Sequence, residues 1–497
     1  MMKPKKIAAL ITALSILAAL AACLNTAVSD DNPVHISGST GESAVTEPQG
    51  AFADRGKAKD SIGSYDFGGV VFDIVLSTEQ MEEPYWAESE SGDLVNDAVF
   101  HRALAVEERF NTVLEHHDTG GNWNEVAEAV RKSVSAGDNA YDLGVAHTFI
   151  GLTGLMTAGS LYNWNRLPIV DMQREWWNTT AAEKLAIDNT LLTASNDYIY
   201  QRPMVLFFNK DMTSDFNLES PYRLVKDGSW TWDKLTEMAK TVSDDLDGNG
   251  IFDDNDRYGY SIMLGWQAIT VVQSMGLSLT VRDDEGYPTF EPFTTDKMVS
   301  IIEKFYNLLY NGNQTLLPVW EPYMGALGGY TPLFGSGQVL FLHSNTELLR
   351  MFREIEIDFG MIPLPKYDKA QENYQVICDT QVLVIPADVT DPEFVGAICE
   401  ALAVESYKTV VPAVYEVTFA NKYLRDEESY DMFDIIRKGI VYDFGWTYGE
   451  GNEMIYAPER LMLQQSTDVA SFYAKNHERF ENQFAKVIDG VREVYGD

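Results

Sequence analysis

The sequence predicts an α/β protein of two lobes, and three observations carry that prediction. Apolar segments of strand length alternate along the chain with segments of helical period. A length of 497 residues is too great for one core and suits two or three packed units, of which two is the economical division. Apolar residues make up 45% of the chain and aromatic ones 12%, so a formal charge of −38 belongs to a solvated exterior and not to a disordered chain.

The first element is a leader. Lys3, Lys5 and Lys6 precede an apolar run from Ile7 to Leu20, and Leu20-Ala21-Ala22-Cys23 closes it. Small residues before the cut and a thiol after it are what lipoprotein processing requires. Residues 1–22 therefore read as a signal peptide and Cys23 as the lipidated residue. The run is shorter than the roughly 20 apolar residues of a membrane span. Acyl chains on Cys23 would hold a body outside the cytoplasm, at the membrane face. Residues 23–62 are poor in large apolar groups and read as a disordered tether.

Ordered structure is expected near Tyr65. Phe67–Leu76 reads as a buried strand, and Val95, Ala98, Val99, Ala103, Val106 and Phe110 recur at helical spacing behind Asp93 as cap. A helix over Trp123–Ala136 and a strand over Tyr141–Ala146 follow, and this recurrence predicts mostly parallel sheets. Met204–Asp211 opens a second unit as a strand. Thr231 caps a helix that carries Leu235, Met238, Ala239 and Val242 on one face. Strands are expected at Val339–His343, Phe359–Pro363 and Gln381–Ile385, and helices at Pro392–Ala403 and through the last thirty residues.

Charge and motifs exclude several functions. Acids outnumber bases 75 to 37, so neither nucleic acid nor an anionic lipid surface is an expected partner. The chain holds no H-E-x-x-H, G-x-S-x-G, P-loop or paired C-x-x-C, and no enzymatic activity is expected. A secreted glycosidase is the rival reading, because it needs only two carboxylates about 5 to 10 Å apart. A surface adhesin would show repeats, and none is visible. Of three cysteines, Cys378 and Cys399 read as small buried hydrophobes more readily than as a disulfide.

One loop has the spacing of a cation site. Asp245-Leu246-Asp247-Gly248-Asn249-Gly250-Ile251 through Asp256 fits D-x-D-x-N-G-x5-D. Asp245, Asp247, Asn249, the Ile251 carbonyl and Asp256 would supply the hard oxygens calcium needs, at about 10⁻⁴ to 10⁻³ M affinity. The predicted role is structural.

A ligand cleft would use aromatic faces with polar groups beside them. Trp86, Trp266 and Trp446 are placed in loops and are the candidate aromatics. Most of the other tryptophans read as core, Trp176 and Trp177 having no obvious polar neighbour. His147, Asn196, Asp197, His343, Asn345 and Asp379 stand at strand ends, where open α/β sheets bind ligands.

Several phrases then resemble a known family. Phe207-Phe208-Asn209-Lys210-Asp211, Ser229-Trp230-Thr231-Trp232-Asp233, the Asp-rich loop leading to Tyr258-Gly259, and Phe359-Gly360-Met361-Ile362-Pro363-Leu364-Pro365 are similar, in order, to the family 1 extracellular solute-binding proteins. Gly92–Val99 and Trp176-Trp177-Asn178 resemble a branch common in Gram-positive bacteria. The likeness runs from Tyr65 to the C-terminus. It implies a periplasmic-binding-protein-like fold of class II type, with a ligand cleft between lobes joined by hinge strands at Asn196–Gln201 and Ile377–Gln381. On this scheme 63–198 with about 382–435 form the N-terminal lobe, and 199–378 with about 436–497 the C-terminal lobe. The implied function is capture of a solute, a mono- or oligosaccharide in many members, by a lipid-anchored monomer that hands it to an ABC permease.

Overall fold

The computed structural model describes residues 55–78, 85–122, 124–317, 331–379, 381–414 and 427–496. Cys23, the leader and most of the tether lie outside them. Two sheets organise the body. The first takes β1 (Val70–Leu76), β2 (Thr112–Asp118) and β3 (Leu143–His147), and later gains a strand near residue 381. The helices between them are α1 (Leu94–Phe110) and α2 (Asn124–Ala136). Asp93 caps α1 as expected, accepting from Val95 N at 3.1 Å and Asn96 N at 3.0 Å. β1 pairs parallel to β2 and to β3, with Ile74 opposite His116 on one side and Leu143 on the other.

The chain then crosses into a second sheet made of β4 (Arg202–Asn209), β5 (Tyr258–Ile262), β6 (Thr315–Leu316), β7 (Val339–Asn345) and β8 (Phe359–Pro363), in the order β8-β4-β7-β5-β6. All eight residues of β4 are buried, as its unbroken apolar run predicts. Helices α3 (Trp232–Val242) and α4 (Trp266–Ser274) belong to this lobe, and Leu235, Met238, Ala239 and Val242 all face its core. The expectation of mostly parallel sheets is corrected here. β4 runs antiparallel to both β7 and β8, because it enters from the other lobe instead of following a crossover within its own sheet.

The return strand β9 (Gln381–Val384) pairs antiparallel with β3 and completes the first sheet. The two crossings lie side by side: Cys378 is opposite Pro203 and Asp379 opposite Arg202, and Met204 N donates to Ile377 O at 3.0 Å. Cys378 and Cys399 are buried free thiols.

Of the helices that follow, four position the lobes and the site. α5 (Pro392–Glu405) packs on α1 in the first lobe, whereas α6 (Glu427–Lys438) packs on β8 and β4. Residues 427–435 therefore sit on the second sheet and not in the N-terminal lobe where they were expected. α7 (Phe444–Tyr448) is short, and α8 (Val469–Tyr495) spans 27 residues. α8 does not belong to one lobe. Gly490 packs against Thr157 and the Tyr495 hydroxyl donates to Leu161 O at 2.8 Å on the first lobe, while Phe484 meets Phe290 at 5.7 Å, tilted by 31°, on the second. Its apolar face is long enough to cover both.

The predicted tether also begins to pack earlier than expected. Arg109 makes a forked pair with Asp60 at 2.7 and 2.8 Å, Ile62 is buried, and the Arg55 guanidinium lies 4.6 Å from the Tyr407 ring centre. Charge pairing, cation–π contact and the single buried Ile62 anchor a segment poor in large apolar side chains. Among the described residues no helix is long and apolar enough to cross a membrane.

Candidate functional site

Two strand ends, one from each lobe, bring aromatic rings together. Beyond β3 the chain turns through Phe149, whose φ of 79° is costly for a side chain this large. Its N–H donates to Thr447 O at 2.9 Å. Beyond β5, Trp266 begins α4. Between them stands Trp446 on α7. Its ring centre is 5.8 Å from Phe149 at 32° and 6.5 Å from Trp266 at 30°, and Phe149 meets Tyr456 edge-on at 5.8 Å. Both lobes thus contribute to one aromatic shelf. Trp446 is 7% exposed and its indole N–H has no acceptor among the described residues. A buried donor left in this state is costly unless something else satisfies it.

Asp443 sets the position of Trp446. It is buried and caps α7, accepting from Trp446 N at 3.0 Å, Leu279 N at 3.0 Å, Thr280 N at 3.2 Å and Thr280 Oγ1 at 3.3 Å. Burial pushes its carboxyl up against the pull of those bonds. Gly445 lets the turn close: a Cβ there would lie 2.6 Å from Thr280 Cγ2 and 2.7 Å from Ile455 Cδ1. Trp266 and Trp446, expected in loops, are both on helices: Trp266 opens the nine-residue α4, and the Asp443 cap with the close Gly445 contact lets the short turn at Trp446 form.

The remaining candidates disperse. His343 is corrected to a core residue. It is fully buried, its Nδ1 lies 2.7 Å from the Tyr260 hydroxyl and its Nε2 3.2 Å from Thr270 Oγ1, and burial lowers its pKa to about 3. Asn345 is likewise occupied as a cap, accepting from Glu347 N at 3.2 Å. Asn196 is buried, and its Oδ1 accepts from Tyr198 N at 2.9 Å. Both oxygens of Asp197 accept from one guanidinium nitrogen of Arg437, at 3.1 and 2.9 Å, beside a cavity of about 90 Å³ at the crossing. His147 is half-buried, opposite Gln381, with its Nδ1 against Thr148 O. Trp86 stacks on His116 of the edge strand β2 at 5.2 Å and 18°, and burial with Arg102 nearby lowers the His116 pKa to about 3. The Asp379 side chain lies outside the described residues. Trp176 and Trp177 do have a polar neighbour, for both indoles donate to the buried Glu400, at 2.8 and 2.7 Å. Phe149 and Tyr456 were missed. The available signal was that Phe149 follows a candidate strand-end histidine by two residues.

The acidic loop keeps its side chains together. One oxygen each from Asp245, Asp247 and Asp256 lies within 4.8 Å of the others. Asp245 accepts from Gly250 N and Gly248 N at 2.7 Å each, and these bonds, Gly250 first, hold its carboxyl below the usual range. Asp256 is enclosed and accepts from Leu246 N and Asp253 N at 2.8 Å each. Asn249 Oδ1 takes Ile251 N at 2.6 Å. Each carboxylate oxygen has a second lone pair, so the loop offers three of the six to eight hard oxygens that a calcium ion takes.

No known family profile matches the sequence, and no curated protein matches it. Solved structures do resemble it. A sugar transporter from Rhizobium etli in an open conformation superposes with a TM-score of 0.57 at 14% identity, over 85% of this chain and 99% of that one. UgpB from Mycobacterium tuberculosis, in complex with glycerophosphocholine, gives 0.54 at 14% identity over 85% and 99%. A cyclo/maltodextrin-binding protein complexed with maltotetraose gives 0.53 at 14% identity over 88% and 100%. At these identities the likeness establishes the fold, and this chain has the two-lobed α/β fold of such binding proteins.

Proposed function

We propose that this chain is a solute receptor of an ABC importer, capturing a mono- or oligosaccharide between its lobes and releasing it unaltered to a membrane permease. The observation that carries the reading is the shelf of Phe149, Trp266, Trp446 and Tyr456, drawn from both lobes and holding one unpaired indole donor. Sugar rings offer apolar C–H faces to such rings and oxygen acceptors to such a donor. A guest touching both lobes favours the closed arrangement, because only there does it make all its contacts. Fold neighbours that include a sugar transporter and a protein complexed with maltotetraose support the same class of ligand.

Lipidation at Cys23 would hold the receptor, as a monomer, at the extracellular face of the cell membrane, and Cys23→Ser should release it. Calcium at Asp245, Asp247, Asn249, Ile251 and Asp256 would brace the loop between α3 and β5 without touching the guest. Millimolar calcium should raise the melting temperature and chelator reverse it; an unmoved transition would reduce the loop to a hydrated turn. The ligand reading is tested by isothermal titration against a sugar library with wild-type and Trp266→Ala protein. The variant should bind the best sugar about tenfold more weakly with its fold intact. Equal affinities would remove the shelf from the site, and turnover of any glycan would replace the receptor by an enzyme.

A further inference from the structure

We propose that Glu450, Glu453 and Glu459 make the shelf selective by charge, so that it accepts neutral or amino-bearing carbohydrates and rejects uronates and sugar phosphates. The inference rests on the shelf being the ligand site. The segment that supplies Trp446 and Tyr456 also supplies all three carboxylates. Arg460, whose guanidinium lies 5.8 Å from the Tyr456 ring centre, is bound by Glu453 at 2.9 Å and faces Glu459 at 3.6 Å, so its charge is already matched. Glu450 reaches the first lobe, where its carboxylate accepts the neutral Gly151 N–H at 2.9 Å and keeps its charge uncompensated by that partner. Three acids against one guanidinium leave the rim negative. Glu459 has a side chain only 14% exposed, and water screens it poorly. The Tyr456 hydroxyl feels this field: burial, then Glu459, push it up to about 12, with Glu453 and Glu450 adding and Arg460 opposing.

The unpaired donor points to the kind of ligand. Trp446 is more than nine-tenths buried, and its N–H seeks an acceptor that brings no negative charge against the rim. A hydroxyl or ring oxygen of a neutral sugar satisfies it. A carboxylate or phosphate oxygen would satisfy it too, but would meet repulsion from three acids. An ammonium group elsewhere on the guest would be attracted.

The test is titration of the full chain with matched series at low ionic strength: glucose, glucosamine and glucuronate, the galactose and mannose equivalents, and β-1,4 tetramers of each glucose form. Within each series that binds, the uronate should bind about tenfold or more weakly than the neutral sugar and the amine at least as tightly, with the spread shrinking as salt rises. A Glu450→Gln/Glu459→Gln double variant should narrow the spread while keeping affinity for the neutral member. Uronate binding as tight as neutral binding, with both lost in Trp266→Ala, would overturn the charge selectivity and leave the site standing. Neutral, amino and acidic members all failing to bind would overturn the carbohydrate reading and the selectivity with it.

Discussion

Replacing Asp443 by Ala tests how the shelf is held. The carboxylate receives four donors, and alanine leaves Leu279 N, Thr280 N, Thr280 Oγ1 and Trp446 N without their acceptor in a buried place. Each unmet buried donor costs about 1 to 3 kcal/mol, and loss of a helix cap about 1 kcal/mol. Two terms oppose that sum. Removing a carboxylate whose pKa burial has raised relieves its desolvation, and water can enter the space it vacates. A net loss of about 3 kcal/mol is therefore expected, with Asp443→Asn milder because one acceptor oxygen survives. Urea unfolding followed by circular dichroism measures the loss. Sugar titration of the still-folded variant measures the second effect, a weaker site, because Trp446 is no longer fixed against Phe149 and Trp266. A loss below about 1 kcal/mol together with unchanged affinity would refute the claim that this carboxylate positions the shelf.

Two further outcomes are expected. Burial, the largest cause, pushes Asp142 up to about 6 in the folded protein, from 3.8. Between those values the folded state binds more protons than the unfolded one, so this group's contribution to stability is full below about pH 4 and is lost as pH rises through 6, by about 3 kcal/mol. Asp142→Asn should flatten that stretch of the stability profile relative to wild type; parallel profiles would show that the carboxyl titrates normally. Glu400→Leu should cost about 2 to 4 kcal/mol, since the Trp176 and Trp177 indoles both lose their acceptor. Equal denaturation midpoints would remove the carboxylate as their anchor.

How much of this could be read in the sequence depends on whether a residue's neighbours are close in the chain. The Asp93 and Thr231 caps, the buried face of α3 and the buried run of β4 are local matters of spacing, and they stand close to where spacing put them. β2 was passed over because Thr112–Asp118 carries Glu115, His116, His117 and Asp118, polar groups suited to a sheet edge and not to a buried strand. Sheet direction failed for a different reason. Whether β4 runs with or against its neighbours depends on which lobe the chain comes from, and no local pattern records that. At the site, Trp266 and Trp446 were recognisable as amphipathic rings, but only the fold shows that they share a shelf with Phe149 and Tyr456. His343 misled because a histidine at a strand end looks the same whether its partners are a guest or, as here, Tyr260 and Thr270.

The long helix α8 has a consequence for how the protein folds. Tyr495 bonds to Leu161, 334 positions earlier, and Arg492 grips Asp188 at 2.9 Å while donating to Glu285 O at 2.7 Å. These contacts join positions 207 to 334 residues apart, so loop closure makes them late events in folding. Until they form, the two lobes lack this strap between them, so the body is completed at its last helix.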